Sequence, residues 1–155
     1  MNLPAIISPN AQAVVVGAGA SGAAAARLLH ALGARVRILD LKAIPPDLQA
    51  WASRSGVETV TGPHAPEHFS GAELVIVSPG IPLPKLAPLL EAAGNPSLIG
   101  EMELALRCTD TPILAVTGTS GKTTTVSLAA AMLERAGKKV FLGGNIGPPL
   151  SEYAL

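Results

Sequence analysis

The nine residues from Val116 to Thr124 could hold the phosphates of a nucleotide. They read Val-Thr-Gly-Thr-Ser-Gly-Lys-Thr-Thr, and they lie between an apolar β-like run at 113–116 and a helix-like run at 124–135. A glycine-rich turn between a strand and a helix directs backbone N–H groups and the positive end of the helix dipole at phosphate oxygens. The run therefore predicts a nucleotide triphosphate site, formed by Gly118, Thr119, Ser120, Gly121, Lys122, Thr123 and Thr124.

Two side chains of this loop carry the chemistry. Lys122 can reach the terminal phosphate oxygens as a point charge, and the Thr123 hydroxyl is suited to bind Mg²⁺. The general pattern asks for glycine five positions before Gly121, where this chain has Val116, so the first glycine of the loop is Gly118. The alternative is a Gly/Ser/Thr turn with a chance lysine, which the flanking strand and helix patterns disfavour.

A second glycine motif, Gly-Ala-Gly-Ala-Ser-Gly at 17–22, follows the first apolar run and precedes an alanine-rich one. It fits G-x-G-x-x-G, in which a diphosphate rests on a helix N-terminus, and Asp40 ends the next strand where an acidic residue receives a ribose hydroxyl. Alone, this favours NAD or FAD, but any nucleotide diphosphate fits the same physics, a UDP-sugar included. Glycines that serve only a tight turn are the remaining alternative.

Two further turns follow predicted strands and could face a ligand. Ser78-Pro79-Gly80 comes after the apolar run 73–77, at the edge of an open α/β sheet where ligands bind. Asn145, in Gly-Gly-Asn-Ile-Gly, follows the run 140–142 and could face a cleft between lobes. Each is a plain loop unless other residues link it to a site.

Composition excludes several classes of function. The 155 residues are 48% hydrophobic and 14% charged, with 11 basic and 11 acidic residues and no net charge. No basic surface for nucleic acid or an anionic membrane is expected. The first 26 residues hold no Lys or Arg, and the uncharged run 11–26 is shorter than the roughly 20 residues of a membrane-spanning helix. We therefore expect a soluble, cytoplasmic protein, with Cys108 as a buried, reduced thiol.

Strand-like and helix-like runs alternate, which predicts an α/β fold with a mostly parallel sheet. The pattern restarts near residue 100, so we expect a Rossmann-like domain at 1–100 and the start of a P-loop-type ATP-binding α/β domain at 101–155. Predicted strands are 13–16, 35–39, 57–61, 73–77, 97–99, 113–116 and 140–142, and predicted helices are 21–32, 47–54, 85–93, 101–108 and 124–135.

Five other residues have ordinary interpretations. His64 and His68 are spaced like helical metal ligands, but Pro63 and Pro66 disfavour a helix, so we expect solvent-exposed loop histidines. Trp51 is expected to pack a helix on the sheet. Glu101 and Glu103 should point to opposite sides of a helix, and so are not a catalytic carboxylate pair.

The order of the motifs provides the link between them. Ser-Pro-Gly-Ile at 78–81, Gly-Glu-Met-Glu-Leu at 100–104, Gly-Thr-Ser-Gly-Lys-Thr-Thr at 118–124 and Gly-Asn-Ile-Gly at 144–147 follow the first glycine turn. In this succession the chain resembles the amino-terminal third of a Mur ligase, most closely the D-glutamate-adding branch of that family. The resemblance covers essentially the whole chain; Ser120 stands where family loops often carry Asn.

The resemblance implies a three-domain, ATP- and Mg²⁺-dependent ligase of peptidoglycan precursor synthesis. It would join D-glutamate to UDP-N-acetylmuramoyl-L-alanine through an acyl phosphate, with Lys122 as the catalytic residue and Thr123 on the metal. It would be monomeric, with no nucleic-acid or membrane partner. The residues implied to bind the UDP substrate are Gly19, Ala20, Ser21, Asp40, Leu41, Lys42, Ser78, Pro79, Gly80 and Asn145.

In the family, further magnesium ligands lie downstream of the position equivalent to Leu155, so this chain is expected to bind substrate without turning it over. Three alternatives stay open at this point. One is an NAD-binding oxidoreductase fragment, which explains residues 17–22 and Asp40 but not the second loop. The others are a different Mur ligase member and a non-catalytic nucleotide sensor.

Overall fold

The apolar, β-branched runs of the first hundred residues form one parallel sheet. The computed structural model describes residues 6–155. The strands follow the spatial order β3-β2-β1-β4-β5. Every neighbouring pair is parallel, as is typical of a chain in which strands and helices alternate. Their bounds are β1 Gln12–Val16, β2 Arg35–Asp40, β3 Glu58–Thr61, β4 Ala72–Val77 and β5 Ser97–Gly100.

Helices connect these strands and continue beyond the last one. α2 has Pro46 in its first turn, where proline needs no N–H partner, and Gly56 ends it in the left-handed conformation with φ of 66°. Two short 3₁₀ helices occur at Pro66–Phe69 and Leu150–Glu152. The α-helices are α1 Ala20–Ala31, α2 Pro46–Ser55, α3 Leu83–Ala92, α4 Glu101–Arg107 and α5 Lys122–Arg135.

Apolar residues cover both faces of the sheet. Along β1, Ala13 and Val15 face one core and Val14 and Val16 face the other. The first core is closed by α1, α2 and α4, and the second by α3 and the 3₁₀ helix with Phe69. Burial on both faces explains why the central strands β1 and β4 contain continuous apolar runs, at 13–16 and 74–77. The predicted α/β class and parallel sheet are confirmed.

The strand order reverses between β1 and β4. The chain moves from β1 outward through β2 to β3, then crosses back to place β4 on the other side of β1 and β5 beyond it. Open α/β sheets bind ligands outside the carboxyl ends of the strands at such a reversal. The turns after β1 and β4 therefore meet at the position where this topology favours a ligand.

The second half of the chain forms less structure than predicted. Residues 113–116 and 140–142 are not strands, so these two predictions are wrong. A strand requires a hydrogen-bonded neighbour, and no strand within residues 6–155 pairs with either segment. α5 does form, beginning at Lys122 rather than at residue 124, but only Ala130 of this helix is buried.

Four side chains have surroundings that differ from the expected ones or add to them. His64 and His68 are half-buried instead of exposed, and His68 belongs to the 3₁₀ helix Pro66–Phe69, in which the Ala65 N–H donates to its Nδ1 at 3.1 Å. Trp51 packs against the core as expected, and it also lies beside α1, with its ring centroid 5.7 Å from that of His30. Cys108 is half-buried, and burial raises the pKa of its thiol.

Candidate functional site

The three glycines of the motif at 17–22 have different structural roles. A Cβ on Gly22 would lie 1.8 Å from the Gly17 carbonyl oxygen, so only glycine lets α1 pack this closely on β1. Gly17 has φ of 100°, and its Cβ would lie 2.7 Å from the Ser78 hydroxyl. A Cβ on Gly19 would meet nothing within 4 Å. Two glycines thus shape the turn, and Gly19 leaves open space above it.

This open space lies at the amino terminus of α1. Gly19 is the N-cap residue, and no side chain caps the helix there. The first backbone bond of the helix runs from the Ala23 N–H to the Gly19 carbonyl at 2.9 Å. The earlier N–H groups have no acceptor within the helix, and Gly19 and Ala20 are exposed. Backbone donors and the helix dipole together form a place for an anionic group.

Asp40 holds the glycine turn from the end of β2. Its Oδ2 accepts the Ala18 N–H at 2.7 Å, and its Oδ1 accepts the Lys42 N–H at 2.8 Å. Ionised acceptors of this kind form strong bonds to backbone donors. The carboxylate therefore orders the turn itself, and ligand contact by Asp40 remains a prediction. Leu41 and Lys42 beside it are exposed, with 68% of Leu41 accessible.

Ser78 joins the turn after β4 to the glycine turn after β1. Its N–H donates to the Val16 carbonyl at 3.0 Å, and its hydroxyl donates to the Gly17 carbonyl at 3.4 Å. Pro79 and Gly80 follow as exposed residues. The structure thus brings together the turns at 17–21, 40–42 and 78–80, which are far apart in the sequence.

His64 lies at the same edge and was not predicted to belong to the site. It follows β3, whose last residues pair with Asp40, and the Gly62 N–H donates to the Asp40 carbonyl at 2.9 Å. Burial, and then repulsion from His68, lower the pKa of His64, while Asp40 opposes this effect. Within residues 6–155 its buried Nδ1 has no hydrogen-bond partner. Only the strand pairing, which the sequence does not specify, could have shown this proximity.

The second loop presents its backbone to solvent at the start of α5. Gly121 is the N-cap with φ of 75°, Gly118 has φ of 153°, and no side chain caps the helix. The half-buried Lys122 donates from Nζ to the Gly118 carbonyl, so the ammonium group already lies over the loop. Thr119, Ser120, Thr123 and Thr124 are exposed. This donor set fits a polyphosphate, and the Thr123 hydroxyl fits Mg²⁺.

Asn145 lies on a tight turn that contacts α4. The Gly144 N–H donates to the Pro148 carbonyl at 2.9 Å, and Asn145 itself is exposed. The Met102 Cε of α4 is 3.3 Å from where a Cβ on Gly144 would stand. Asn145 is therefore carried by a structured turn, and its contact with a ligand remains a prediction.

Two properties apply to the described residues as a whole. Across positions 6–155, His, Cys, Asp and Glu side chains nowhere form a group of three or more that could hold a metal ion. The helices in this range are too short or too polar to cross a membrane.

Two protein-family models match the chain. The model described as Mur ligase MurD-like, N-terminal domain, matches residues 11–97, and the Mur ligase middle domain matches residues 116–153. The first match ends within β5, and the second begins just before the phosphate loop. The two glycine turns thus fall in separate matched regions.

Curated relatives are similar over nearly the whole chain. The UDP-N-acetylmuramoylalanine–D-glutamate ligase of Nitratidesulfovibrio vulgaris (strain Miyazaki F) is 61% identical over 146 residues, which are 92% of this chain and 33% of the relative. The enzyme of the same name from Oleidesulfovibrio alaskensis is 55% identical over 151 residues, covering 96% of this chain and 34% of the relative. The chain therefore spans about a third of the length of these relatives.

Solved structures show the same fold. A pseudomurein peptide ligase type C from Methanothermus fervidus matches 83% of this chain and 27% of its own, with a TM-score of 0.57 and 25% identity. A murein peptide ligase from Psychrobacter arcticus matches 82% of this chain and 27% of its own, with a TM-score of 0.52 and 26% identity.

Proposed function

The chain belongs to the Mur ligase family, and from this membership we propose that it is the nucleotide-binding part of an ATP-dependent ligase that adds D-glutamate to UDP-N-acetylmuramoyl-L-alanine. The 61% and 55% identical relatives carry the name of that activity, and they support the D-glutamate-adding branch over other members. Such a ligase would act in the cytoplasm, in the synthesis of peptidoglycan precursors.

The reaction joins a carboxylate and an amine at the expense of ATP. The substrate carboxylate attacks the γ-phosphorus of ATP, ADP leaves, and an acyl phosphate forms. The amine of D-glutamate then attacks the acyl carbon and releases inorganic phosphate, leaving an amide. A phosphoryl transfer of this kind depends mostly on positioning and on neutralising charge.

The carboxyl edge of the sheet supplies the site for the UDP part of the substrate. The diphosphate rests on the free N–H groups at the start of α1, and the nucleoside extends along Asp40, Leu41 and Lys42. Ser78 to Gly80 form the facing wall. The observation that supports this assignment is the open space at Gly19. At the other two glycines of the motif, backbone or side-chain atoms already occupy the corresponding space.

The loop 118–124 supplies the site for ATP. Its N–H groups at the start of α5 bind phosphate oxygens, and Lys122 exchanges the Gly118 carbonyl for the γ-phosphate. A bound Mg²⁺, held in part by Thr123, would neutralise negative charge on the phosphates. Lys122 is therefore the one residue of this chain that we assign to the phosphoryl transfer itself.

The assignment of the first turn is tested by titrating UDP-N-acetylmuramoyl-L-alanine into the chain by calorimetry. Gly19→Val should fold as wild type, because φ at Gly19 is −69° and the space is open, but it should weaken binding at least about tenfold by filling the anion site. Ala31→Val, exposed at the other end of α1, is the matched control and should bind as wild type. Binding of NAD with none of the UDP ligand would reject the proposal.

The ligase activity is tested in a chimera that joins this chain to the carboxyl-terminal two thirds of the 61% identical relative. Phosphate release should require both the UDP substrate and D-glutamate. Gly19→Val should raise the KM for the UDP substrate, and Lys122→Met should abolish turnover while leaving UDP-substrate binding intact. Phosphate release that does not depend on D-glutamate would contradict the proposal.

A further inference from the structure

Glu101 is a buried carboxylate that is not among the predicted catalytic or binding residues. It is the first residue of α4 and only 5% exposed. A buried carboxylate is costly unless it is hydrogen-bonded. Its Oε1 accepts the backbone N–H of Ser151 at 2.6 Å, and the Ser151 hydroxyl lies 3.5 Å from the Glu101 carbonyl oxygen. Fifty residues of sequence separate the two partners.

This contact joins the segment 149–152 to the helices that cover the sheet. Ser151 is fully buried within the 3₁₀ helix Leu150–Glu152, which packs against both α1 and α4. Pro149, just before it, is also buried. Because α1 and α4 close the first core of the sheet, the segment 149–152 is anchored to the body of the molecule.

The turn that carries Asn145 lies directly before this anchored segment. The Gly144 N–H bond to the Pro148 carbonyl closes the turn, and Gly143 has no room for a Cβ beside Phe141. This hydrogen bond ties the turn to Pro148, so the position of the turn depends on that of the buried Pro149 beside it. The Met102 Cε would lie 3.3 Å from a Cβ on Gly144, so the turn lies beside α4 at the residue that follows Glu101.

We propose that Glu101 is a positioning residue: by binding Ser151, it holds the turn 144–147 against α4 and so sets where Asn145 stands relative to the nucleotide site at 19–21. The contact with Ser151 is read from the structure. The consequence for ligand binding rests on the proposed function.

The positional claim is tested by hydrogen exchange on the intact chain. Glu101→Ala should speed exchange of the backbone amides of 150–153 at least about tenfold, since the loss of a buried acceptor leaves the Ser151 N–H unpaired. Amides of β1 and β4 should keep their wild-type rates. Glu103→Ala is the matched control, because Glu103 is exposed and pairs with Arg107 on its own helix.

Glu101→Gln keeps an acceptor oxygen and serves if the alanine variant does not fold. Its exchange at 150–153 should fall between wild type and Glu101→Ala. Wild-type exchange at 150–153 in a folded Glu101 variant would overturn the proposal, and so would a Glu103→Ala variant that exchanges as fast as Glu101→Ala.

The consequence for ligand binding is tested by a double-mutant cycle with UDP-N-acetylmuramoyl-L-alanine. Asn145→Ala should weaken binding about fivefold in wild type, the effect of one lost hydrogen bond, and less than about twofold in Glu101→Ala, with an intermediate effect in Glu101→Gln. Additive effects would overturn the positioning role. If wild type binds no ligand, the proposed function fails, and the exchange rates of 150–153 still decide whether Glu101 anchors the turn.

Discussion

At the residue scale, the glycine turn after β1 is held by a hydrogen bond to the carboxylate of Asp40. Both oxygens of Asp40 accept backbone N–H groups, one from the glycine turn and one from Lys42. A ligand hydroxyl would have to share the remaining lone pairs of the same oxygens. Asp40 therefore couples the shape of the phosphate-binding turn to whatever occupies the nucleoside side of the site.

The lowered pKa of His64 predicts how the stability of the protein depends on pH. Burial, and then the nearby His68, lower the pKa of His64 below 6.5, so the unfolded chain binds this proton more readily than the folded one. Stability should therefore fall as the pH drops through about 6.5 and below. Urea denaturation at about pH 7.5 and about pH 5.5 should show a smaller acid-induced loss of unfolding free energy for His64→Gln than for wild type.

An equal loss of unfolding free energy in the two proteins would contradict this account of His64.

His64 also shows a limit of prediction from sequence. Pro63 and Pro66 correctly argue against an α-helix, but the half-buried position of His64 follows from the pairing of β2 with β3. Glu101 is similar: its helix could be predicted, whereas its partner Ser151 is brought to it only by the packing of a distant segment.

At the scale of elements, the contact of α1 with β1 sets the geometry of the first turn. Gly22→Ala should destabilise the protein by at least about 2 kcal/mol, because its Cβ would stand 1.8 Å from the Gly17 carbonyl oxygen. Gly19→Ala is the matched control, with open space for its Cβ, and should cost less than about 1 kcal/mol. Urea denaturation of both variants checks the difference, and similar midpoints would contradict it.

The elements of the first hundred residues could be predicted because each carries its own signal. Short segments rich in apolar or β-branched residues formed β1 to β5, and alanine- or leucine-rich stretches that end before Gly33, Gly56 or Gly94 formed the helices between them. Residues 113–116 and 140–142 have similar composition but are not strands. Their composition is typical of a buried strand, but composition alone does not form one, and within residues 6–155 neither segment pairs with a strand.

At the scale of the whole molecule, burial is concentrated in the sheet and its covering helices. From Thr109 to Pro148, Ala130 alone is buried, and Leu128 and Met132 of α5 are 61% and 63% exposed. Hydrogen exchange should therefore be slowest in β1, β2 and β4 and fastest at 113–118 and 139–143, where the backbone amides donate no hydrogen bond to another backbone group. Protection at 113–116 equal to that of β1 would contradict this description.

The direction of the strands also separates the two rims of the sheet. Every ligand-binding turn that we assign to the amino-terminal region lies at the carboxyl ends. The amino ends border a shallow depression lined in part by His30, Arg35, Ser55 and Glu58. A fluorescent label or an immobilisation handle attached at Ser55 would thus report on this protein from the far side, without obstructing the entry of a nucleotide.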